Sequence, residues 1–464
     1  MKKRSFLFLV LALALPNIFQ ALVINLSEMV DNIMVGRLNE HAISGVSITN
    51  QIFFIFTTMN FALGAVGGIF ITQYHGAKKY DQITEVYRVA MLFGLGLGII
   101  FFLIMQFKPE ILLHLLAKEP ETIAQALKYI GYIKYTFLIF PLSMVTAASF
   151  RYIGKVKLPM FVSIIALSVS VFLNFGLVHG NMGFPAMGVA GAGLSTLVAR
   201  IIEITIYFGL AAKLATPIKY SLTKMFKFDS SILHGYINKG SGLFANELMW
   251  GLGMQVISVS YTQRISENIA AYSIANVLMN LTMIGMGGMS VAVSIIIGNH
   301  LGRSEFEEAK EKSKKLMKIA AGIGATLGIS AFIVSFGLFK LYTVPDIILF
   351  KARMLLLIVA CFSWLYYLNA SVFFMLRSGG DTKSVLLMDS GFLWAISLPF
   401  AVWTGTWGLF LPIHYLIVQF IDFLKLTVAL LRYKRYTWLV NLAVDPEEEG
   451  EETTDVGELV TETN

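Results

Sequence analysis

Apolar runs of about 20 residues recur along this 464-residue chain, from Phe6–Leu26 near its start to a stretch ending at Leu431. A helix of that length crosses the ~30 Å hydrocarbon core of a bilayer. With 56% hydrophobic and only 14% charged residues, the chain lacks the charge to cover a soluble surface of its size. Hydropathy predicts about twelve spans, near residues 6–35, 42–74, 89–107, 129–150, 158–180, 186–212, 241–263, 269–299, 316–341, 354–376, 384–406 and 407–431. The expected class is an all-α integral membrane protein embedded in a lipid bilayer. MKKR before the first run imitates a secretory leader, but no small-residue cleavage site comes after it, so the run reads as the first transmembrane helix.

Charge sets the expected orientation. With the N-terminus placed in the cytoplasm, the inner segments hold 25 Lys and Arg and the outer loops 9. That asymmetry predicts both termini on the cytoplasmic side of a cell membrane. Residues 445–464 hold 9 of the 29 acids and no Lys or Arg, and residues 436–464 read as an acidic, disordered tail. The single cysteine, Cys361, excludes a disulfide framework and any multi-cysteine metal site.

The chain also repeats itself. Arg151, Gly154 and Lys157 recur as Arg377, Gly380 and Lys383, 226 positions on, and the same offset carries Gly76 to Gly302, Asp81 to Glu307 and Glu85 to Glu311. Six spans per half is an even number, so both halves enter the membrane from the same side. The expected architecture is two parallel six-helix lobes, 1–212 and 241–435, joined by a basic linker at 213–240, with the substrate path between them.

Acids inside spans are few: Glu28, Asp31, Glu203, Glu247, Asp389 and Asp422. Charge in a membrane is costly and marks pathways or coupling sites. Arg200–Glu203 and Asp422–Lys425 are each three apart and can share a helix face. The first reads as a packing ion pair, the second leaves a functional role open, and Asp389, near the start of its span, reads as solvated. Glu28 and Asp31 share a face with each other, a pair that can titrate or hold a small cation. Pro16 on the same helix should kink or weaken it. Asn174 and Thr196 fall at a depth similar to Asp31, and carboxylate, amide and hydroxyl oxygens suit a small hard cation. Glu247, with no basic residue within a turn and Trp250 nearby, suits a lipophilic organic cation.

Enzyme chemistry finds little support. The seven histidines are scattered, with no HExxH and no Walker-type GxxxxGK[ST]. An acyl- or glycosyltransferase would need a catalytic group beside a sizeable outer loop, and the longest, 108–128, offers His114 without an evident partner. No cofactor and no nucleic-acid partner is expected.

Pro16 with VDNIMVGRL, NFGLVHGNMGFPAMGVAGAGLSTLVAR, NELMWGLG and the matched loops RYIGKVK and LRSGGDTK together resemble the multidrug and toxic compound extrusion (MATE) family, over residues 1 to about 435. The resemblance implies two lobes forming a V around a central cavity, and export of drugs, small organic cations among them, in exchange for Na+ or H+ by a single chain. Carried onto this sequence, it implies a cation site of Asp31, Asn174, Thr196 and a backbone carbonyl at Ala192, and a further carboxylate at Glu247. Two acids that other members carry are replaced here by Val178 and Tyr366. The rival reading is a flippase for a lipid-linked oligosaccharide, which calls for a basic cavity; here Arg200 and Lys425 are the only basic residues well inside the expected spans.

Overall fold

The structure, a computed structural model, describes residues 5–219, 224–262, 265–342 and 344–444. Among them there is no β-strand. In chain order the helices are α1 (Phe6–Gly36), α2 (Glu40–Gly76), α3 (Tyr80–Phe107), the short α4 (Pro109–Leu116), α5 (Pro120–Ile133), α6 (Thr136–Tyr152), α7 (Lys157–His179), α8 (Val189–Lys213), α9 (Ser230–Thr262), α10 (Ser266–Gly302), α11 (Phe306–Leu338), α12 (Asp346–Ser378), α13 (Thr382–Gly405) and α14 (Leu411–Lys434). Ten are long and apolar enough to cross a membrane, and α5 with α6, bent by 56° at their junction, make an eleventh span. The twelfth of the expected series is α9, whose 33 residues are long enough but include Lys239, Asn246 and Glu247.

The repeat is visible in the helix bounds. α2 and α10 are each 37 residues and lie 226 positions apart at both ends, and α6 and α12 end at Tyr152 and Ser378, again 226 apart. Each half builds its own apolar core, yet α1 places Val10 and Ala14 in a cluster of the second half, while α9 places Tyr236 and Leu243 in one of the first. The leading helix of each lobe thus leans on the other lobe.

The halves meet where α2 and α10 end. A side chain at Gly76 would overlap the Asn299 carbonyl, and one at Gly302 would overlap the Gln73 carbonyl. Gln73 and Asn299 are themselves 226 apart, so the two contacts are the same contact seen twice about a pseudo-twofold axis. Small residues let backbones approach this closely where lipid gives helices no hydrophobic reason to associate. The loops 77–79, 153–156, 303–305 and 379–381 connect helices that end on this side, and we call it the basic end.

Two expectations are corrected. The linker is shorter than 213–240, because α9 begins at Ser230. The tail is not wholly without structure: residues 436–444 pack on the protein, with Trp438 fully buried. An aromatic residue finding an apolar seat outweighs the acidic character of the neighbouring sequence. Residues 445–464 lie outside the described residues.

Candidate functional site

A cavity of about 310 Å3 opens in the first half, bounded by α1, α2, α5, α7 and α8. Asp31 and Asn32 line it from α1, Thr49 and Phe53 from α2, and Thr196 and Arg200 from α8. Three helices bring the oxygen-rich cluster together. α7 supplies Asn174, whose amide donates a hydrogen bond to the half-buried Asp31 carboxylate across the α1–α7 contact. α8 supplies Ser195, whose hydroxyl donates to Asn174 Oδ1 at 2.5 Å and lies 2.9 Å from the Ala192 carbonyl. Thr196 Oγ1 donates to the same carbonyl at 3.1 Å. Asn174 and Ser195 are wholly buried.

The structure therefore gathers Asp31, Asn174, Ala192 and Thr196 into one site. It adds Ser195, which the sequence reading passed over although it adjoins Thr196. The donor set is one carboxylate with neutral amide, hydroxyl and carbonyl oxygens. Among the described residues no group of three or more His, Cys, Asp or Glu side chains is arranged to hold a metal ion. A single charge among hard oxygens suits a proton or a monovalent cation better than a transition metal. The side chain of Glu28 lies outside the described residues. α1 is continuous through Pro16, so the proline weakens the helix without ending it. It removes the donor that would bond to Ala12, and beside it Asn17 donates its side-chain amide to the Leu13 carbonyl at 2.7 Å. Arg200 and Glu203 form the expected pair, at 2.8 Å.

The second half differs from what spacing suggested. Lys425 does not pair with Asp422; its Nζ lies 2.5 Å from Asp389 Oδ1 on α13. Asp389 is buried, not solvated, and its other oxygen accepts from Asn246 Nδ2 at 3.2 Å. Asp422 is half-buried, and its backbone carbonyl accepts from Asn369 at 3.4 Å. Glu247 is not alone: Arg377 Nη2 lies 2.7 Å from its Oε1. Arg377, which the sequence placed in a loop, is buried in the last turn of α12. Two buried charges that face each other across helices satisfy one another where water cannot. At Tyr366, where other members carry an acid, a neutral chain stands instead: its hydroxyl donates to Gln419 Oε1 at 2.6 Å, and Gln419 Nε2 donates to Tyr261 at 3.1 Å. The other substituted position, Val178, is buried in an apolar cluster.

One register runs through both halves. Asp31 and Asn174 are 143 residues apart; so are Gln20 and Ser163, bonded at 3.0 Å, and Asn246 and Asp389. Gln20 and Asn246 are repeat mates, as are Ser163 and Asp389. The α1–α7 seam of the first half is thus rebuilt as the α9–α13 seam of the second, and at this matched level it is neutral at Gln20–Ser163 and charged at Asn246–Asp389.

Comparison with known proteins fits this geometry. The model of the MatE family matches twice, at residues 16–175 and 243–403. The uncharacterized transporter YisQ of Bacillus subtilis is 24% identical over 379 residues, covering 81% of this chain and 82% of its own. The probable multidrug resistance protein YoeA of the same organism is 23% identical, covering 86% of each. Among solved structures, a MATE in complex with MaL6 superimposes with a TM-score of 0.82 at 18% identity, covering 92% of this chain and 96% of that one. An outward-facing multidrug resistance MATE transporter of the MOP superfamily gives 0.81 at 17%, covering 94% and 97%.

Proposed function

The chain belongs to the MatE family of multi-pass membrane transporters, and from that premise we propose that it exports lipophilic organic cations in exchange for Na+ or H+ by alternating access. The observation that carries the reading is the Asp31 carboxylate, bonded to Asn174 in the wall of a roomy cavity. A carboxylate held between two helices has a different cost with and without its counter-ion. Na+ or H+ neutralises Asp31, with Asn174, Thr196, Ser195 and the Ala192 carbonyl completing the oxygen set. Neutralisation removes the need to hydrate a buried charge, and α1 then rebends near Pro16 and narrows the cavity. Drug and cation draw on the same negative charge, so each lowers the affinity for the other, and that linkage gives antiport. Phe53, Phe54 and Tyr129 supply aromatic faces for an organic cation. Glu247, Glu28 and Asp422 are the second tier of coupling or substrate groups. The basic end faces the cytoplasm, with both termini there. The flippase reading is the weaker one, because Arg200 and Lys425 are each held by an acid, at 2.8 and 2.5 Å.

The test is uptake of ethidium into inside-out vesicles, under an imposed Na+ gradient and, separately, an imposed pH gradient. We expect the unaltered chain to respond to one of the two and Asp31→Asn to respond to neither. Full gradient-driven transport by Asp31→Asn refutes the assignment of the coupling site.

A further inference from the structure

Residues 436–444 continue past α14 along the basic end. The segment is anchored on the second half. The Trp438 ring stacks on Tyr433, with centroids 5.6 Å apart and planes 17° apart, and its Nε1 donates to the Tyr433 carbonyl at 3.1 Å. Its own carbonyl fills the space where a side chain at Gly379 would sit. Asn441 Nδ2 donates to the Gly302 carbonyl at 3.3 Å and lies 2.9 Å from Ser304 Oγ.

The segment then reaches across to the first half. The Leu442 N–H donates to Gln73 Oε1 at 2.6 Å, and Gln73 Nε2 donates to Val440 O at 3.2 Å and to Ser378 O at 2.6 Å. The Leu442 side chain packs on the principal apolar cluster of the first half. Gln73 is wholly buried and spends both donors and its acceptor on groups of the second half and of this segment. A buried amide stripped of its partners is costly. Gln73 is therefore satisfied by this set of partners only while the lobes are closed here. Its repeat mate, Asn299, is satisfied differently, by His75 Nδ1 at 3.0 Å and its own helix at Ile295 O, 2.6 Å. The clasp is thus built once, on one side of the pseudo-twofold axis.

We propose that Trp438–Ala443 is a latch: a strap fixed to the second lobe that keeps the basic end closed by clasping Gln73, and that releases each time this end opens. The proposal rests on the alternating-access reading above. Gln73 acts as a positioning residue, through the strap and not on the transported molecule.

The test uses the full-length chain in vesicles, with Cys361→Ser to remove the native thiol. In Gln73→Cys/Leu442→Cys, oxidation to the disulfide should abolish gradient-driven export and a reductant should restore it. Complete disulfide formation with unchanged export overturns the latch. So does failure of the two thiols to join in a protein that melts at the parent temperature. Separately, Leu442→Cys alone should react with a maleimide presented at the basic end at a rate that changes with drug or gradient. Adding Gln73→Ala should speed that reaction about tenfold, the shift expected for two lost hydrogen bonds. A labelling rate indifferent to both marks the segment as structural and refutes the proposal. If the reduced parent exports nothing under either gradient, the functional reading itself fails and the latch with it; if reduced and oxidised forms export alike, only the latch fails.

Discussion

Removing Lys425 should cost more than removing Asp389, by about 1–2 kcal/mol, although the two form one ion pair. With Lys425→Met, Asp389 loses its ion-pair partner in a buried position and keeps the hydrogen bond from Asn246 Nδ2 at 3.2 Å and the more distant Arg377 charge. Breaking a buried pair from one side costs ~3–5 kcal/mol. The retained hydrogen bond to a charged group, worth ~1.5–3 kcal/mol, keeps the cost toward the lower end, about 3 kcal/mol. With Asp389→Asn, the stranded Lys425 has Asp422 one turn back on the same helix as a substitute partner. That loss should be about 1–2 kcal/mol, in the range of a hydrogen bond whose partner is replaced. In Lys425→Met/Asp389→Asn no buried charge is orphaned, and the double variant should be no worse than Asp389→Asn alone. The assay is a double-mutant cycle of unfolding free energies in one detergent, with all four proteins at one pH. Equal single costs that simply add in the double variant, to within ~0.5 kcal/mol, would show that the two residues are not coupled and refute the reasoning.

The packing sets two further outcomes. Gly302→Ala, whose new methyl meets the Gln73 carbonyl, should force α2 and α10 apart and cost ~1–3 kcal/mol, read as a lowered melting temperature against a Gly322→Ala control in open surroundings. Ser195→Ala removes the hydroxyl that holds Asn174 Oδ1 at 2.5 Å; the protein should fold, while the coupling-ion concentration for half-maximal transport rises about tenfold, the equivalent of a hydrogen bond to a charge-bearing cluster.

The helices and their duplication were legible because both are written in local order. Apolar length marks a span, and a fixed offset of 226 survives in Gly76 and Gly302 because neither position tolerates a side chain. The oxygen-rich cluster was legible in part through family likeness: Asp31, Asn174, Ala192 and Thr196 lie together. What spacing could not give is which charges meet across helices. Asp422 and Lys425 are helical neighbours, yet a rotamer of Lys425 reaches Asp389, 36 residues away, and gains a buried partner there. Spacing leaves Arg377 in a loop and Glu247 without a partner, because their meeting depends on how α9 and α12 pack. The offset held a clue: it maps Ser163 onto Asp389, and Ser163 faces the cavity. The packed segment 436–444 was hidden by the acidic sequence beyond it.

α13 is not a uniform α-helix. Residues Leu387–Gly391 and Leu393–Ser397 form widened, π-type turns, each closing over one residue more than an α turn. α7, its repeat mate, has no such turns. Past residue 397 the second copy has therefore slipped phase relative to the first. Offset alone would bring Ile257 and Phe400 to the places of Asp31 and Asn174, and neither could hold an ion; the slip also turns that face away from where α7 presents its own. The duplicated halves thus differ in geometry as well as in residue choice. Restoring an acid in the second lobe by substitution alone would not recreate the site of the first: its helix would have to be rewound as well.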